Sequence, residues 1–361
     1  MAGTQDYKLG SHIFPRGWFM IGDASKMGAE PTTVHFFGKD MVFYRGASGK
    51  AHLVHAYCPH MGAHLGRNNT SYIVRDNERV EGEAIRCPFH GWRFNETGQC
   101  DDIPYSPDFI PKAACLKTYT VIERAGAIWM WHDPEDGAPT HDLPAFDCWD
   151  KEEEGWVRWV MDDFGILDLH PLEIVDNMAD FGHMTPIHGS RDLVYFDNSF
   201  EDHVCVQRFD AGHRTLTGNG AEVLSLDTWY EGPSILQAKM YGAHPSHMLI
   251  AHTPIEDGRV QVWHALMVKL PFDAPQEERV ATARAYQKTS FDAFAQDVDI
   301  WSNKEACFNP MQIPADGPYG KVRIWYRQFY NPRAEAETFQ KRVNGTVVTY
   351  GTERPAELVE A

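Results

Sequence analysis

The sequence predicts an α+β protein with two domains. Short strands and turns fill its first third, and a Pro-, Asp- and Gly-rich stretch at residues 132–144 (HDPEDGAPTHDLP) is the best linker candidate. Beyond it, residues 200–270 are patterned as antiparallel strands, and residues 276–304 as one long amphipathic helix. Strands followed by helices indicate an antiparallel sheet with helices packed on it, a helix-grip arrangement. We therefore expect an all-β domain over residues 1–135 and an α+β domain over residues 136–361.

Local patterns in both halves support these elements. Glycine-containing turns between apolar runs predict hairpins, because glycine adopts the positive φ angles of tight turns. The predicted pairs are residues 34–37 with 41–44, residues 120–123 with 127–131, and residues 248–255 with 259–270. Residues 173–183 are expected to be helical.

Composition excludes several function classes. The 361 residues carry a formal net charge of −18, which disfavours nucleic acid and anionic membrane surfaces as partners. No run approaches the roughly 20 apolar residues of a membrane span, and the start has no signal-peptide pattern. Seven cysteines, an odd number, argue against a disulfide framework. A reducing, cytoplasmic location is expected.

Two Cys–His pairs form the first candidate metal site. They are Cys58-Pro-His60 and Cys87-Pro-Phe-His90, each on a loop between predicted strands. In a Rieske [2Fe–2S] cluster two cysteines bind one iron and two histidines the other, so each loop would supply one ligand to each iron. Structural zinc is the alternative for such pairs. Two neighbouring features favour the cluster. The glycine after each motif lets the backbone approach the sulfides closely, and the indole of Trp92 would shield the cluster from water.

The other cysteines have no matching histidine spacing. We expect them to be small buried hydrophobic residues. They are Cys100, Cys115, Cys148, Cys205 and Cys307.

A second constellation is Asn177-x-x-Asp180-x-x-His183-x-x-x-x-His188. Residues 177, 180 and 183 are three apart and would share one face of a helix. Pro186 lacks a backbone N–H, so we expect the helix to kink or end there and to bring both imidazoles toward one point. Two histidines and a carboxylate with open positions form the facial triad of non-haem Fe(II) oxygenases.

The carboxylate of that triad has three candidates. Asp180 is adjacent, but an aspartate beside a ligand histidine is also the usual partner that orients the imidazole. On the long helix, Asp297 shares the apolar, inward side with Phe294 and Trp301, and Asp299 shares the polar side with Gln296. Because a carboxylate on a buried face needs a cation, we choose Asp297 as the third ligand.

These residues carry a family resemblance. The segment CPFHGWRFNETGQCDDIPYS resembles the Rieske domain of Rieske-type non-haem iron oxygenases, the ring-hydroxylating oxygenase alpha subunits. The segments FPRGWF, MWHDPEDGAP and IWYRQFYNP look like the oxygenase components of 3-ketosteroid 9α-hydroxylases. One departure is a longer gap between the cluster motifs. We interpret its extra residues 68–83 as a polar surface hairpin inserted between the two cluster loops.

The resemblance implies a function and an assembly. It implies O2-dependent monooxygenation of a steroid at a mononuclear Fe(II), with electrons delivered by the [2Fe–2S] cluster. The sequence lacks a dinucleotide-binding glycine fingerprint, so a separate NADH-dependent reductase with flavin and iron–sulfur centres is expected. By resemblance, Asp180 connects His183 to His90 of the partner subunit in a head-to-tail homotrimer, and Asn177 belongs to the same catalytic motif.

Three alternatives stay open at this point. One is a Rieske oxygenase that dihydroxylates or O-demethylates an aromatic compound. Another is a Rieske electron carrier without catalysis, which the second motif and its long domain argue against. The third is a sterol-binding protein that retains the scaffold without turnover. The position oxidised and the identity of the reductase do not follow from the sequence.

Overall fold

The computed structural model describes residues 2–28, 30–217, 223–242, 244–313 and 315–354. Its internal contacts divide the chain into two compact units, residues 19–132 and residues 133–361 together with residues 1–18. The predicted division differs in one respect, because the first 18 residues pack with the second unit. There Leu9 is buried, and the hydroxyl of Thr4 lies 3.1 Å from Nε2 of His170.

The unit of residues 19–132 is built from short antiparallel strands, as the sequence predicts. Its strands are β1 Gly17–Asp23, β2 Thr32–Phe36, β3 Lys39–Arg45, β4 Ala51–His55, β5 Val80–Glu81, β6 Ala84–Arg86, β7 Arg93–Phe94, β8 Cys100–Asp102, β9 Thr118–Tyr119, β10 Val121–Arg124 and β11 Ala127–His132. Among the described residues they form sheets in the orders β1-β11-β10, β2-β3-β4-β9 and β5-β6-β7-β8. The predicted hairpins correspond to β2–β3 and β10–β11.

Residues 68–83 differ from the prediction. They contain a single helical turn, α1 Tyr72–Arg75, and only β5 at their end pairs with β6. The predicted surface hairpin over the whole segment is therefore wrong. The side-chain amide oxygen of Asn68 accepts hydrogen bonds from the backbone N–H groups of Thr70 and Ser71, which favours a turn and a helix start over a strand.

The second unit contains one large antiparallel sheet. Its strands are β12 Trp156–Val157, β13 Asp162–Leu167, β14 Tyr195–Glu201, β15 Val204–Gly212, β16 Val223–Glu231, β17 Ile235–Tyr241, β18 Ser246–Glu256, β19 Arg259–Lys269 and β20 Gly345–Tyr350. Within the described residues the order is β12-β19-β18-β17-β16-β15-β14-β20, with β13 also paired to β19. The α+β class is confirmed, although predicted strand residues 218–222 and 243 lie outside the described part.

Helices accompany this sheet. They are α2 Leu172–Val175, α3 Met184–His188, α4 Arg214–Thr217, α5 Gln276–Ser302, α6 Tyr319–Arg327 and α7 Ala336–Val343, with 3-10 turns at Glu152–Glu154, Asp176–Met178 and Arg333–Glu335. The helix α5 contacts β19, and its Ala293, Phe294, Asp297 and Trp301 are buried. Both the long helix and the β18–β19 hairpin follow the sequence pattern.

The cysteine prediction is correct in part. Cys100, Cys148 and Cys205 are buried, whereas Cys115 and Cys307 are exposed. Cys115 lies between Ala114 and Leu116, which are both buried. In an extended segment alternate side chains point to opposite sides, so Cys115 faces outward.

Among the residues described here, none of the helices combines the length and apolar character that a bilayer crossing requires.

Candidate metal centres

The two Cys–His loops have matching backbone geometry. The N–H of Cys58 donates to the carbonyl five residues later at 2.9 Å, and the N–H of Gly62 donates back to the carbonyl of Cys58 at 2.9 Å. The loop at Cys87 has the same two hydrogen bonds. The N–H of Cys87 donates to the carbonyl five residues later at 2.8 Å, and the N–H of Gly91 donates to the carbonyl of Cys87 at 3.0 Å. Both glycines have positive φ angles, 72° and 75°, which side chains with a Cβ rarely adopt. The motifs therefore fold into a pair of equivalent turns.

The two thiols face each other inside the core of their unit. Both Cys58 and Cys87 are buried among apolar residues. A hydrogen bond from Cys58, aided by the backbone N–H groups of Phe89 and His90, lowers the pKa of Cys87 to about 6. The same shared hydrogen bond, together with burial, raises the pKa of Cys58. A thiolate stabilised by backbone N–H groups is the form of cysteine that binds metals.

The two motif histidines lie side by side. The ring centroids of His60 and His90 are 4.8 Å apart. Trp92 stacks on His60 with a centroid distance of 4.3 Å and an interplanar angle of 9°, and its indole N–H donates to the Tyr105 hydroxyl at 2.8 Å. Nδ1 of His90 is buried and has no hydrogen-bond partner among the described residues. The site therefore brings together two thiols and two imidazoles, with Nδ1 of His90 available as a ligand atom. These donors suit a Rieske cluster.

The second constellation closes around a carboxylate. Oδ1 of Asp297 lies 3.7 Å from Nε2 of His183 and 3.4 Å from Nε2 of His188. The three ligand atoms lie within 4.8 Å of one another. The structure thus brings together the side chains chosen from sequence, although 109 positions separate His188 from Asp297.

Hydrogen bonds fix the orientation of both imidazoles. Nδ1 of His183 lies 2.7 Å from the backbone carbonyl of Asp180, and Nδ1 of His188 lies 3.1 Å from Oε1 of Gln296. Both partners are acceptors, so in each neutral ring Nδ1 carries the proton and Nε2 keeps its lone pair. Both lone pairs therefore lie near the carboxylate of Asp297.

This donor set fits a cation. Two nitrogen lone pairs near a carboxylate repel one another in a buried site unless a positive charge lies between them. Nε2 of His183 is buried and has no hydrogen-bond partner in the part of the chain described. Burial lowers the pKa of His183, but Asp180 and Asp297 outweigh that effect and raise it. Two imidazoles and one carboxylate with open positions are typical of non-haem iron.

The local fold around the two histidines differs from the prediction. The expected single helix over residues 173–183 is broken, since α2 ends at Val175 and α3 begins at Met184. Pro186 does not end a helix. It lies in the first turn of α3, where the backbone N–H that proline lacks would have no partner within the helix. The break before His183, and not a kink at Pro186, positions the two imidazoles.

Asp180 and Asn177 take different positions. Oδ1 of Asp180 accepts the backbone N–H of His183 at 3.1 Å. Burial opposes ionisation of Asp180, but His183 and Tyr319 lower the pKa of its carboxyl below the ordinary value. Asn177 lines the cavity at the triad, and its backbone carbonyl accepts the Gln207 side chain at 3.3 Å. The roles of both residues stay predictions.

The sequence pattern placed Gln296 on the wrong side of α5. Asp299 is exposed, as expected, but Gln296 is half-buried and contacts His188. Gln296 and Asp297 are consecutive and so lie about 100° apart around the helix, which is close enough for both to reach one centre. A second residue that sequence spacing missed is His213, whose ring stacks on His188 at 4.9 Å between centroids.

A cavity of about 110 Å³ opens directly onto the triad. Its lining includes the triad itself and apolar side chains from the sheet and from α5. Apolar residues make up most of this lining, including Met178, Met184, Met240, Met248, Phe294 and Trp301. The three ligand atoms therefore face an apolar chamber.

Comparisons with known proteins agree with the predicted Rieske domain and with the α+β domain that follows it. Residues 17–120 match the family described as Rieske [2Fe-2S] domain, and residues 130–330 match the family described as 3-Ketosteroid 9alpha-hydroxylase C-terminal domain. The solved structure of NdmA with caffeine from Pseudomonas putida CBB5 has the same fold, with a TM-score of 0.68 and 17% identity over 93% of this chain and 97% of that chain. Dicamba monooxygenase bound to dicamba gives a TM-score of 0.63 at 17% identity, over 92% of this chain and 99% of the other.

The fold and the two family matches define a Rieske non-haem iron oxygenase. A probable 3-ketosteroid-9-alpha-monooxygenase oxygenase component of Rhodococcus rhodochrous is 34% identical over 88% of this chain and 80% of its own length. Cholesterol 7-desaturase of Bombyx mori is 27% identical over 90% of this chain and 72% of its own length. The chain belongs to the family of 3-ketosteroid 9α-hydroxylase oxygenase components.

Proposed function

We propose that this chain is the oxygenase component of a multi-component, O2- and NADH-dependent steroid monooxygenase. The observation that carries the proposal is the cavity, whose apolar walls lead directly to the side chains of His183, His188 and Asp297. An oxidising centre at the end of an apolar chamber suits a substrate that presents an unactivated C–H bond.

Two ligand sets would hold the metals. Cys58, His60, Cys87 and His90 would hold the [2Fe–2S] cluster, and His183, His188 and Asp297 a mononuclear Fe(II). When bound, these groups supply single-electron transfer and O2 activation.

The surrounding residues position and protect that chemistry. The Asp180 carbonyl and the Gln296 amide oxygen hold the two imidazoles with Nε2 toward the metal position. Buried walls such as Phe294 and Trp301 would exclude water and hold the substrate close to the metal position.

The cavity also bears on the substrate. Its volume of about 110 Å³ is smaller than that of most sites for drug-sized ligands, which is roughly 300–1,000 Å³. A steroid would require the walls to move, and methionines such as Met240 and Met248 adapt readily because their side chains are unbranched and flexible. The names of the relatives support a steroid skeleton.

Electrons would come from outside the chain. We infer a separate NADH-dependent reductase with flavin and iron–sulfur centres, because the sequence has no dinucleotide-binding glycine motif. The relatives are themselves named as oxygenase components.

We further infer a head-to-tail homotrimer. In it the side chain of Asp180 would connect His183 to His90 of the partner subunit. The side chain of Asp180 is 30% exposed and so accessible to another subunit, which supports such a contact.

The test combines the purified protein with a surrogate reductase, NADH, 18O2 and a panel of steroids, bile-acid intermediates and aromatic acids. Mass spectrometry should find one 18O atom in a hydroxylated steroid. His183→Ala should give no product while the visible spectrum of the cluster is retained. Two 18O atoms in an aromatic diol, or a demethylated product, would support the alternative oxygenases. Substrate binding without turnover in an iron-replete protein would contradict catalysis.

A further inference from the structure

A chain of hydrogen bonds leads to Ser290, which lines the cavity. Oδ2 of Asp162 in β13 lies 2.9 Å from Nδ1 of His264 in β19. Nε2 of the same imidazole lies 3.0 Å from Oγ of Ser290 in α5. His264 is fully buried, and Ser290 is 3% exposed. Within the described part of the chain, none of these residues forms a hydrogen bond with His183, His188 or Asp297, so the metal site does not explain them.

The direction of each hydrogen bond follows from its acceptors. Burial opposes ionisation of Asp162, but hydrogen bonds from His264 and Gln287 lower the pKa of its carboxyl below the ordinary value. Ionised Asp162 only accepts, so Nδ1 of His264 donates. In the neutral ring Nε2 is then an acceptor, and the Ser290 hydroxyl donates to it. The Gln287 amide, 2.8 Å from Oδ2, holds the carboxylate in place.

Ser290 is consequently an acceptor toward the cavity. The hydroxyl lies 3.0 Å from Nε2 of His264 and 3.5 Å from the sulfur of Met248, and the imidazole nitrogen is the stronger acceptor for its one proton. A hydroxyl oxygen has two lone pairs, and a donated proton increases its acceptor strength through cooperativity. Ser290 lines the cavity.

The position of Ser290 relative to the metal ligands suits one end of a rigid substrate. Ser290 and Asp297 are seven residues apart on α5, or about 10.5 Å along the helix axis and on nearly the same face. A fused ring skeleton with one carbon at the metal would present its far end near Ser290.

We propose that Oγ of Ser290 accepts a hydrogen bond from a hydroxyl group of the substrate and so selects an alcohol over the corresponding ketone at that end of the molecule. This inference rests on the proposed function only for the ring skeleton, and it specifies the polar group that the skeleton carries. Asp162 and His264 are positioning residues, because they act through Ser290.

The same three residue types occur in hydrolases, but their setting here differs. Hydrolysis requires backbone N–H groups aimed at a developing oxyanion beside the nucleophile. Ser290 lies in the interior of α5, where backbone N–H groups are engaged in the helix. The arrangement therefore suits recognition of a hydroxyl group and not acyl transfer.

The test measures binding to the iron- and cluster-loaded protein by titration calorimetry. The probes are pairs that differ only in a hydroxyl or an oxo group at one ring carbon, one pair of steroids and one pair of fused bicyclic compounds. One hydrogen bond should make the alcohol bind about fivefold more tightly. Ser290→Ala should remove that preference, and Asp162→Asn should weaken it. Thr289→Ala is the matched control, because its hydroxyl bonds to the carbonyl of Ala285 in the same helix.

The outcomes separate this inference from the proposed function. Equal binding of alcohol and ketone by the wild-type protein, or a preference for the ketone, would overturn the inference. So would an unchanged preference in Ser290→Ala. If neither steroid binds but the bicyclic alcohol is preferred in a Ser290-dependent way, the steroid assignment fails and the role of Ser290 stands.

Discussion

Nδ1 of His188 lies 3.1 Å from Oε1 of Gln296, the residue directly before Asp297. One turn of α5 therefore supplies a carboxylate to the metal position and orients an imidazole of the same site. The oxygen of Gln296 also accepts the hydroxyl of Thr215 at 3.2 Å, which fixes the amide.

Gln296→Ala should weaken metal binding at the second site. Without its acceptor, the His188 ring loses its fixed orientation and its preferred tautomer, and loss of such a partner typically lowers metal affinity about 10–100-fold. Competition with a chelator, read as iron retained per chain, measures the change. Asp299→Ala is the control, because Asp299 is exposed on the same helix. Equal iron retention in both variants would show that Gln296 does not orient the ligand.

Cys87→Ser should abolish the cluster, whereas Cys100→Ala should retain it. Both cysteines are buried in the same core, but only Cys87 lies in a Cys–His turn opposite another thiol. The visible absorption and the reduced-state EPR signal of the two proteins measure cluster content. A normal spectrum in Cys87→Ser, or none in Cys100→Ala, would contradict the ligand assignment.

Asp180→Asn should separate electron delivery from iron binding. The close partner of Nδ1 in His183 is the backbone carbonyl of Asp180 at 2.7 Å, whereas the carboxylate oxygen is 3.6 Å away. The substitution keeps the carbonyl, so iron content should change little. Steady-state turnover should fall, because the proposed connection to the partner subunit passes through the side chain. Parallel loss of iron and turnover would instead assign the carboxylate to metal binding.

The stability of the second unit should depend on pH through buried histidines. Burial lowers the pKa of His170 to about 3, and its Nδ1 accepts the N–H of Leu172 at 3.1 Å. An unfolded histidine has a pKa near 6.5, so the unfolded chain binds more protons between about pH 6.5 and 3. The free energy of unfolding should therefore fall as the pH falls through this window.

The contribution of His170 to the change in the free energy of unfolding is at most about 1.4 kcal/mol per pH unit. His170→Gln should make the dependence shallower by part of that amount, in urea unfolding followed by tryptophan fluorescence between pH 7 and pH 5.5. Identical slopes in the two proteins would show that His170 binds protons equally in the folded and the unfolded chain.

The sequence predicted those features that depend on the spacing of apolar residues along an element and on residue type. The period of α5 separated buried Asp297 from exposed Asp299, and the Cys–His spacing identified both turns of the cluster site. The contact of Gln296 with His188 depends on how α3 packs against α5, which no local pattern encodes. The prediction for Pro186 was wrong because proline can either end a helix or occupy its first turn. Here the chain breaks before His183 and a new helix begins at Met184, so Pro186 lies in a first turn.

The most direct test of two metal centres in one chain is iron and acid-labile sulfide per chain in the wild-type protein and in Asp297→Ala. Because Asp297 lies 3.4 Å from His188 Nε2 and 3.7 Å from His183 Nε2, its loss should empty the second site alone. The wild-type protein should contain one iron more than the two of its cluster, and the variant should lose that iron with its sulfide and cluster spectrum unchanged. A wild-type protein with iron equal to sulfide, or a variant that keeps the additional iron, would contradict the account.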